Sequence, residues 1–128
     1  MSPKTKDTLF GKAKGFKKRH KVTGEVNTLD RLIRERGAVS EISGEPLVEK
    51  GHERYHWQLF HVLGKGEYPE LRLFDGNLLL STWQEQDQWT RRKWELKDKP
   101  TWAHVFAMEE TLKYDARQRL NAELSGRA

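Results

Sequence analysis

Cysteine is absent from this 128-residue chain. That excludes a disulfide framework, a thiolate zinc site and a cysteine nucleophile, and it fits a cytosolic setting. No run of about 18 apolar residues occurs, so no membrane-spanning segment is expected. The N-terminus, MSPKTKDTLFGKAKGFKKRHK, is basic and lacks the apolar stretch of a secretory signal. Hydrophobic residues are scarce, at 35% against 34% charged, so any core must be small and built from few large side chains. There is no internal repeat and no low-complexity tract. What the chain does hold is aromatic bulk, with five Trp, and a mass of 15.1 kDa that suits one domain.

The net charge of +5 is unevenly spread. Residues 1–24 carry eight Lys/Arg against the single acid Asp7, a balance of +7. The remaining residues hold 16 basic and 18 acidic groups, a balance of −2. The chain therefore reads as a basic arm, 1–24, expected to be disordered when free, joined to a nearly neutral body, 25–128. Phosphate is the natural partner for such an arm, through counterion release. Lys12, Lys14, Lys17, Lys18 and Arg19 are its candidate nucleic-acid contacts, with Phe10 and Phe16 interleaved as possible stacking groups. A solubilising tail without a target is the plainer alternative.

In the body, Leu29, Leu32 and Ile33 fall on one face of a short helix over 28–36, capped by Asn27 or Thr28 and ended by Gly37. A turn-rich stretch follows. Residues 54–63 alternate as a strand, with Tyr55, Trp57, Leu59 and His61 on one face and His56, Gln58 and Phe60 on the other. Gly64, Gly66 and Pro69 impose a loop, Asp75-Gly76 a turn, and Leu78–Leu80 a short buried strand. Thr82 and Glu85 have the spacing of a capping box. They should open a helix on which Trp83 and Trp94 share a face. Pro100 and Thr101 should start a last helix of about 20 residues. Its stripe of Trp102, Val105, Phe106, Leu112, Ala116 and Leu120 would be core or a dimer seam.

Strand, loop, strand and helix is a ββα layout, and here the sequence resembles a known family. Ser43-Gly44-Glu45-Pro46, Trp57–Leu63, Lys65-Gly66, Tyr68–Leu73 and Asn77–Leu80 are similar to segments of the HNH endonucleases, particularly small phage-type members. The likeness covers residues 39–90, and its specific part runs from His61 to Asn77. It implies an α+β fold, a small HNH-like ββα finger with a short N-terminal helix and a long C-terminal helix. It implies that His61 is the general base that activates water for attack on a phosphodiester. A neutral imidazole with a pKa near 6.5 suits that task. Asn77 would pin the loop and orient His61. A divalent ion, Mg²⁺ or Mn²⁺, would polarise the phosphate.

The chain departs from the family at the metal. Phe60, which cannot ligate, stands beside His61 where the family often has a metal-binding His or Asp, and Gln86 stands where the finger helix carries its metal-binding His. Asp75, Glu85 and Asp87 are alternative oxygen donors. The family's zinc-binding Cys pairs are missing too, with Ser40 and Ser43 near the first pair's place. No structural zinc is expected, and tryptophan packing, from Trp57 and the four Trp between 83 and 102, should replace it. Lys65, Arg72, Arg91 and Arg92 are candidate phosphate contacts, or solvated charges. His52, His56 and His104 read as structural or surface residues. Two functions follow as expectations. One is a metal-dependent DNA nickase or endonuclease. The other is a catalytically degenerate HNH fold that binds DNA or a host protein as a phage effector, in the cytoplasm of a bacterial host.

Overall fold

Two strands of three residues each lie at the centre of an α+β structure. β1 (Leu59–His61) pairs antiparallel with β2 (Leu78–Leu80), in the register Leu59 to Leu80, Phe60 to Leu79 and His61 to Leu78. The coordinates, a computed structural model, describe residues 24–127, so residues 1–23 of the basic arm lie outside the described residues. Side chains of adjacent strand residues point to opposite faces of a sheet. Leu59, Leu78 and Leu80 accordingly share one hydrophobic cluster with Leu29, Leu32, Leu47 and Tyr55. Phe60 and Leu79 join a second cluster with Trp89, Trp102 and Val105.

α1 (Glu25–Arg36) supplies the first of these faces. It begins three residues before the expected start, because Gly24 takes φ 76 and turns the chain into the helix. The Thr28 hydroxyl donates to the Gly24 carbonyl instead of capping the helix. Gly37, at φ 100, ends the helix as expected, with its N–H on the Ile33 carbonyl. An acid in the first turn and arginines in the last complement the helix dipole. Two contacts fasten α1 to the hairpin. The Arg31 guanidinium grips Asp75 with two bonds, 2.7 and 3.0 Å. Arg36 donates to the Leu78 carbonyl at 2.9 Å and meets Glu41.

The long strand expected over 54–63 is only partly present. Residues Tyr55–Gln58 form a 3-10 turn, and extended pairing starts at Leu59. The reason is Gln58, whose buried amide accepts from the Val48 N–H and donates to the Val48 and Tyr55 carbonyls. Those bonds curl the segment and leave Trp57 54% exposed, so strand alternation fails before residue 59.

α2 (Trp83–Leu96) opens with the expected capping box: Thr82 accepts from the Glu85 N–H, and Glu85 accepts from the Thr82 N–H. It bends at Arg92, which has non-helical φ −135 and ψ 36. A 3-10 turn (Pro100–Trp102) leads into α3 (Ala103–Arg127), which at 25 residues is longer than expected and spans about 38 Å. Its N-terminal half carries Val105, Glu109 and Leu112 into the interior. Beyond Leu112, Leu120 and Leu124 are exposed, so the predicted stripe is core only in part.

The tryptophans divide. Trp89 and Trp102 stack in parallel, 5.8 Å apart, and both flank Phe60. Phe106 closes on Trp89 at 5.0 Å. Trp94 is 74% exposed and Trp57 is also outside, so two of the five Trp do not pack as expected. Trp83 instead holds the Arg54 guanidinium over its ring.

Candidate functional site

Asn77 organises the loop between the strands. It is fully buried, and its Oδ1 accepts from the Leu63 N–H at 2.7 Å. Its Nδ2 donates to the carbonyls of Leu63, at 3.0 Å, and Leu71, at 3.3 Å. One side chain thus closes the loop at its beginning and near its middle. Removing it would strand buried backbone groups, each costing roughly 1–3 kcal/mol.

His61, the last residue of β1, depends on that loop. Its Nε2 donates to the Arg72 carbonyl at 2.9 Å. A carbonyl only accepts, so Nε2 carries the proton and the neutral ring keeps its lone pair on Nδ1. Burial pushes the His61 pKa below its ordinary value; the Lys65 and Arg72 charges act the same way, against the Arg72 carbonyl bond and Glu25. The ring is therefore neutral at neutral pH, the state a proton acceptor requires. The predicted pair of His61 and Asn77 meets through the loop rather than directly. Asn77 holds Leu71, and the next carbonyl along holds His61.

Charged groups of both signs surround the ring. Lys65 reaches Glu25 with bonds of 2.9 and 3.1 Å. Arg72 presents a buried Nε with no hydrogen-bond partner among the described residues. Sequence reading missed Glu25, because capping preferences placed the helix start beyond it and no local signal links residues 40 apart. Arg31 and Asp75 were missed as a pair for the same reason. Arg31 holds the Asp75 carboxyl below the usual carboxylate range.

The expected metal donors do not converge. Phe60 lies on the opposite sheet face, inside the aromatic cluster. Gln86 donates its amide to the carbonyls of Trp57 and, at 3.2 Å, Leu59, which ties α2 to the hairpin backbone. Asp75 is held by Arg31, and Asp87 by Arg91 at 2.9 Å. Glu85 is buried, accepting from Thr82 N–H and, at 2.7 Å, from the Ser40 hydroxyl. Among the described residues no three His, Asp or Glu side chains gather as a metal-holding group. In the arrangement observed, Gln86, Asp75, Asp87 and Glu85 are each engaged by another protein group. Ser40 accepts from the Ile42 and Ser43 amides at 3.0 and 3.1 Å and donates its hydroxyl to Glu85. A hydrogen-bonded turn stands there.

The basic run on α2 is compensated. Arg91 pairs with Asp87, Arg92 approaches Glu95 at 4.0 Å, and Lys93 pairs with Glu109 beneath the Trp89 ring. Arg91 and Arg92 nonetheless remain on the surface. Lys12, Lys14, Lys17, Lys18 and Arg19 lie outside the described residues. His52 accepts from the Arg54 N–H and His104 donates to the Glu41 carbonyl, so neither joins His61. Among the described residues no helix is long and apolar enough to cross a membrane. No family model, curated protein or solved structure matches this chain, so its own geometry carries the functional argument.

Proposed function

We propose that this chain is an HNH-endonuclease-like, DNA-binding protein whose hairpin carries a phosphodiester-directed site at His61, on a ββα finger formed by β1, β2 and α2. The observation that supports it is the linked set of His61, the Arg72 carbonyl, Leu71 and Asn77. A neutral imidazole whose proton sits on Nε2 is poised to accept a proton at Nδ1, and Asn77 holds the loop that orients it. The chain's basic N-terminal segment supplies long-range attraction for the polyanion.

Hydrolysis of DNA is the activity this arrangement supports best. The test is nicking of supercoiled plasmid across Mg²⁺, Mn²⁺ and other divalent ions. Wild type should nick and His61→Ala should not; equal, negligible activity of both removes the enzyme reading. A second reading is favoured by the engagement of Gln86, Asp75, Glu85 and Asp87 with other protein groups. In it, the protein retains DNA binding without cleavage, or binds a host protein as a phage effector. Affinity for DNA at low salt with no nicking selects the DNA-binding form, and absence of DNA affinity selects the protein-binding form. Gain of cleavage in Gln86→His would place the residue at the family's metal position.

A further inference from the structure

The loop that holds His61 also holds two cations, and they are treated differently. Lys65 is engaged by both oxygens of Glu25, at 2.9 and 3.1 Å. Arg72, whose carbonyl fixes His61, has a buried Nε lacking any partner among the described residues. Glu25 is the first residue of α1, and Gly24 before it lies against the loop: a Cβ built there would be 3.3 Å from the Leu73 side chain. Leu73 directly follows Arg72. The start of α1 is thereby seated beside the segment that carries the His61 contact. Glu25 is also close enough to His61 to raise its pKa, while Lys65 and Arg72 lower it.

We propose that Glu25 occupies the position of a DNA phosphate at this site, an autoinhibitory carboxylate that a phosphodiester displaces from Lys65. The inference rests on the DNA-binding reading above. A carboxylate and a phosphodiester present the same feature to an ammonium, two anionic oxygens. When phosphate replaces Glu25, Lys65 keeps an anionic partner. The displacement leaves the fold in place, because α1 is fastened independently by Arg31 on Asp75 and Arg36 on the Leu78 carbonyl.

The experiment is fluorescence anisotropy of a labelled DNA duplex with the full chain, at low salt. Glu25→Gln should bind about three- to tenfold tighter, and Lys65→Gln more weakly. In the Lys65→Gln background, the gain from Glu25→Gln should shrink to less than about twofold. Glu123→Gln, which removes an exposed charge on α3, controls for bulk charge. A Glu25→Gln gain no larger than that of Glu123→Gln, or one undiminished without Lys65, overturns the inference and leaves the DNA-binding reading standing. No binding by wild type or any variant overturns the DNA-binding reading and the inference with it. Glu25→Gln should melt within about 2 °C of wild type, which shows that the affinity change does not come from unfolding.

Discussion

The two faces of the β1–β2 hairpin are built on different principles. The α2/α3 face is dry: Phe60 and Leu79 meet Trp89, Trp102 and Val105. The α1 face begins in the same way, with Leu59, Leu78 and Leu80 against Leu29 and Leu32. It then ends at His61, among Glu25, Lys65 and Arg72. A sheet of three-residue strands has room for one polar position at its margin, and the chain places its imidazole there. The dry face supplies rigidity, and the mixed face carries the imidazole of the proposed site. Gln86 and Ser40–Glu85 serve the same end, tying α2 by hydrogen bonds to β1 and to the turn at Ser40.

Deleting the centre of the dry face should have the largest effect. Phe60→Ala is expected to cost about 3–5 kcal/mol in urea unfolding, with Trp94→Ala, on an exposed side chain, within about 0.5 kcal/mol of wild type. Similar losses for both would mean that the aromatic stack does not carry the fold. Asn77→Ala follows at roughly 2–4 kcal/mol, since it leaves Leu63 and Leu71 groups unpaired in the interior. A loss under 1 kcal/mol would break the claim that one amide organises the loop.

The His61 effect is smaller and depends on pH. Its folded pKa lies below the ordinary value of 6.5, so the unfolded chain takes up the proton first. Stability should be intact above about pH 6.5 and decline as pH falls toward the folded pKa, where the loss is complete. His61→Asn should remove that decline when unfolding curves are compared from about pH 8 to pH 5. Tyr55, pushed up to about 12 chiefly by burial and then by its bond to Asp30, has the opposite sense. Its contribution is intact below 10 and disappears as pH rises through the raised value. Least disruptive to the fold is removal of residues 1–21, which should leave the melt unchanged and flatten the salt dependence of DNA affinity. An unchanged slope would place phosphate contact in the body alone.

Much of the fold was legible where local chemistry acts alone. The capping box of Thr82 and Glu85, the stop at Gly37, the apolar face of α1 and the β2 leucines all follow from near neighbours. The strand over 54–63 was legible only from Leu59 onward, because the Gln58 amide recruits Val48 from ten residues away. Tryptophan packing was half legible: indole area announces a core, but which rings enter it depends on the crossing of α2 and α3. At the candidate site, His61 and Asn77 could be singled out, along with Lys65 and Arg72. Glu25 could not, since its partner is 40 residues distant.

Sequence alone determined a cysteine-free, charge-segregated chain with a short buried hairpin and an imidazole at its edge, because composition and two-residue alternation are local properties. Tertiary structure alone decided which carbonyl fixes that imidazole, which carboxylate faces Lys65, and that Gln86, Asp75 and Glu85 bind groups of distant segments at Leu59, Arg31 and Ser40. Hydrogen bonds and ion pairs between distant segments form only after the backbone has brought them within about 3 Å, and no pattern along the chain encodes that approach.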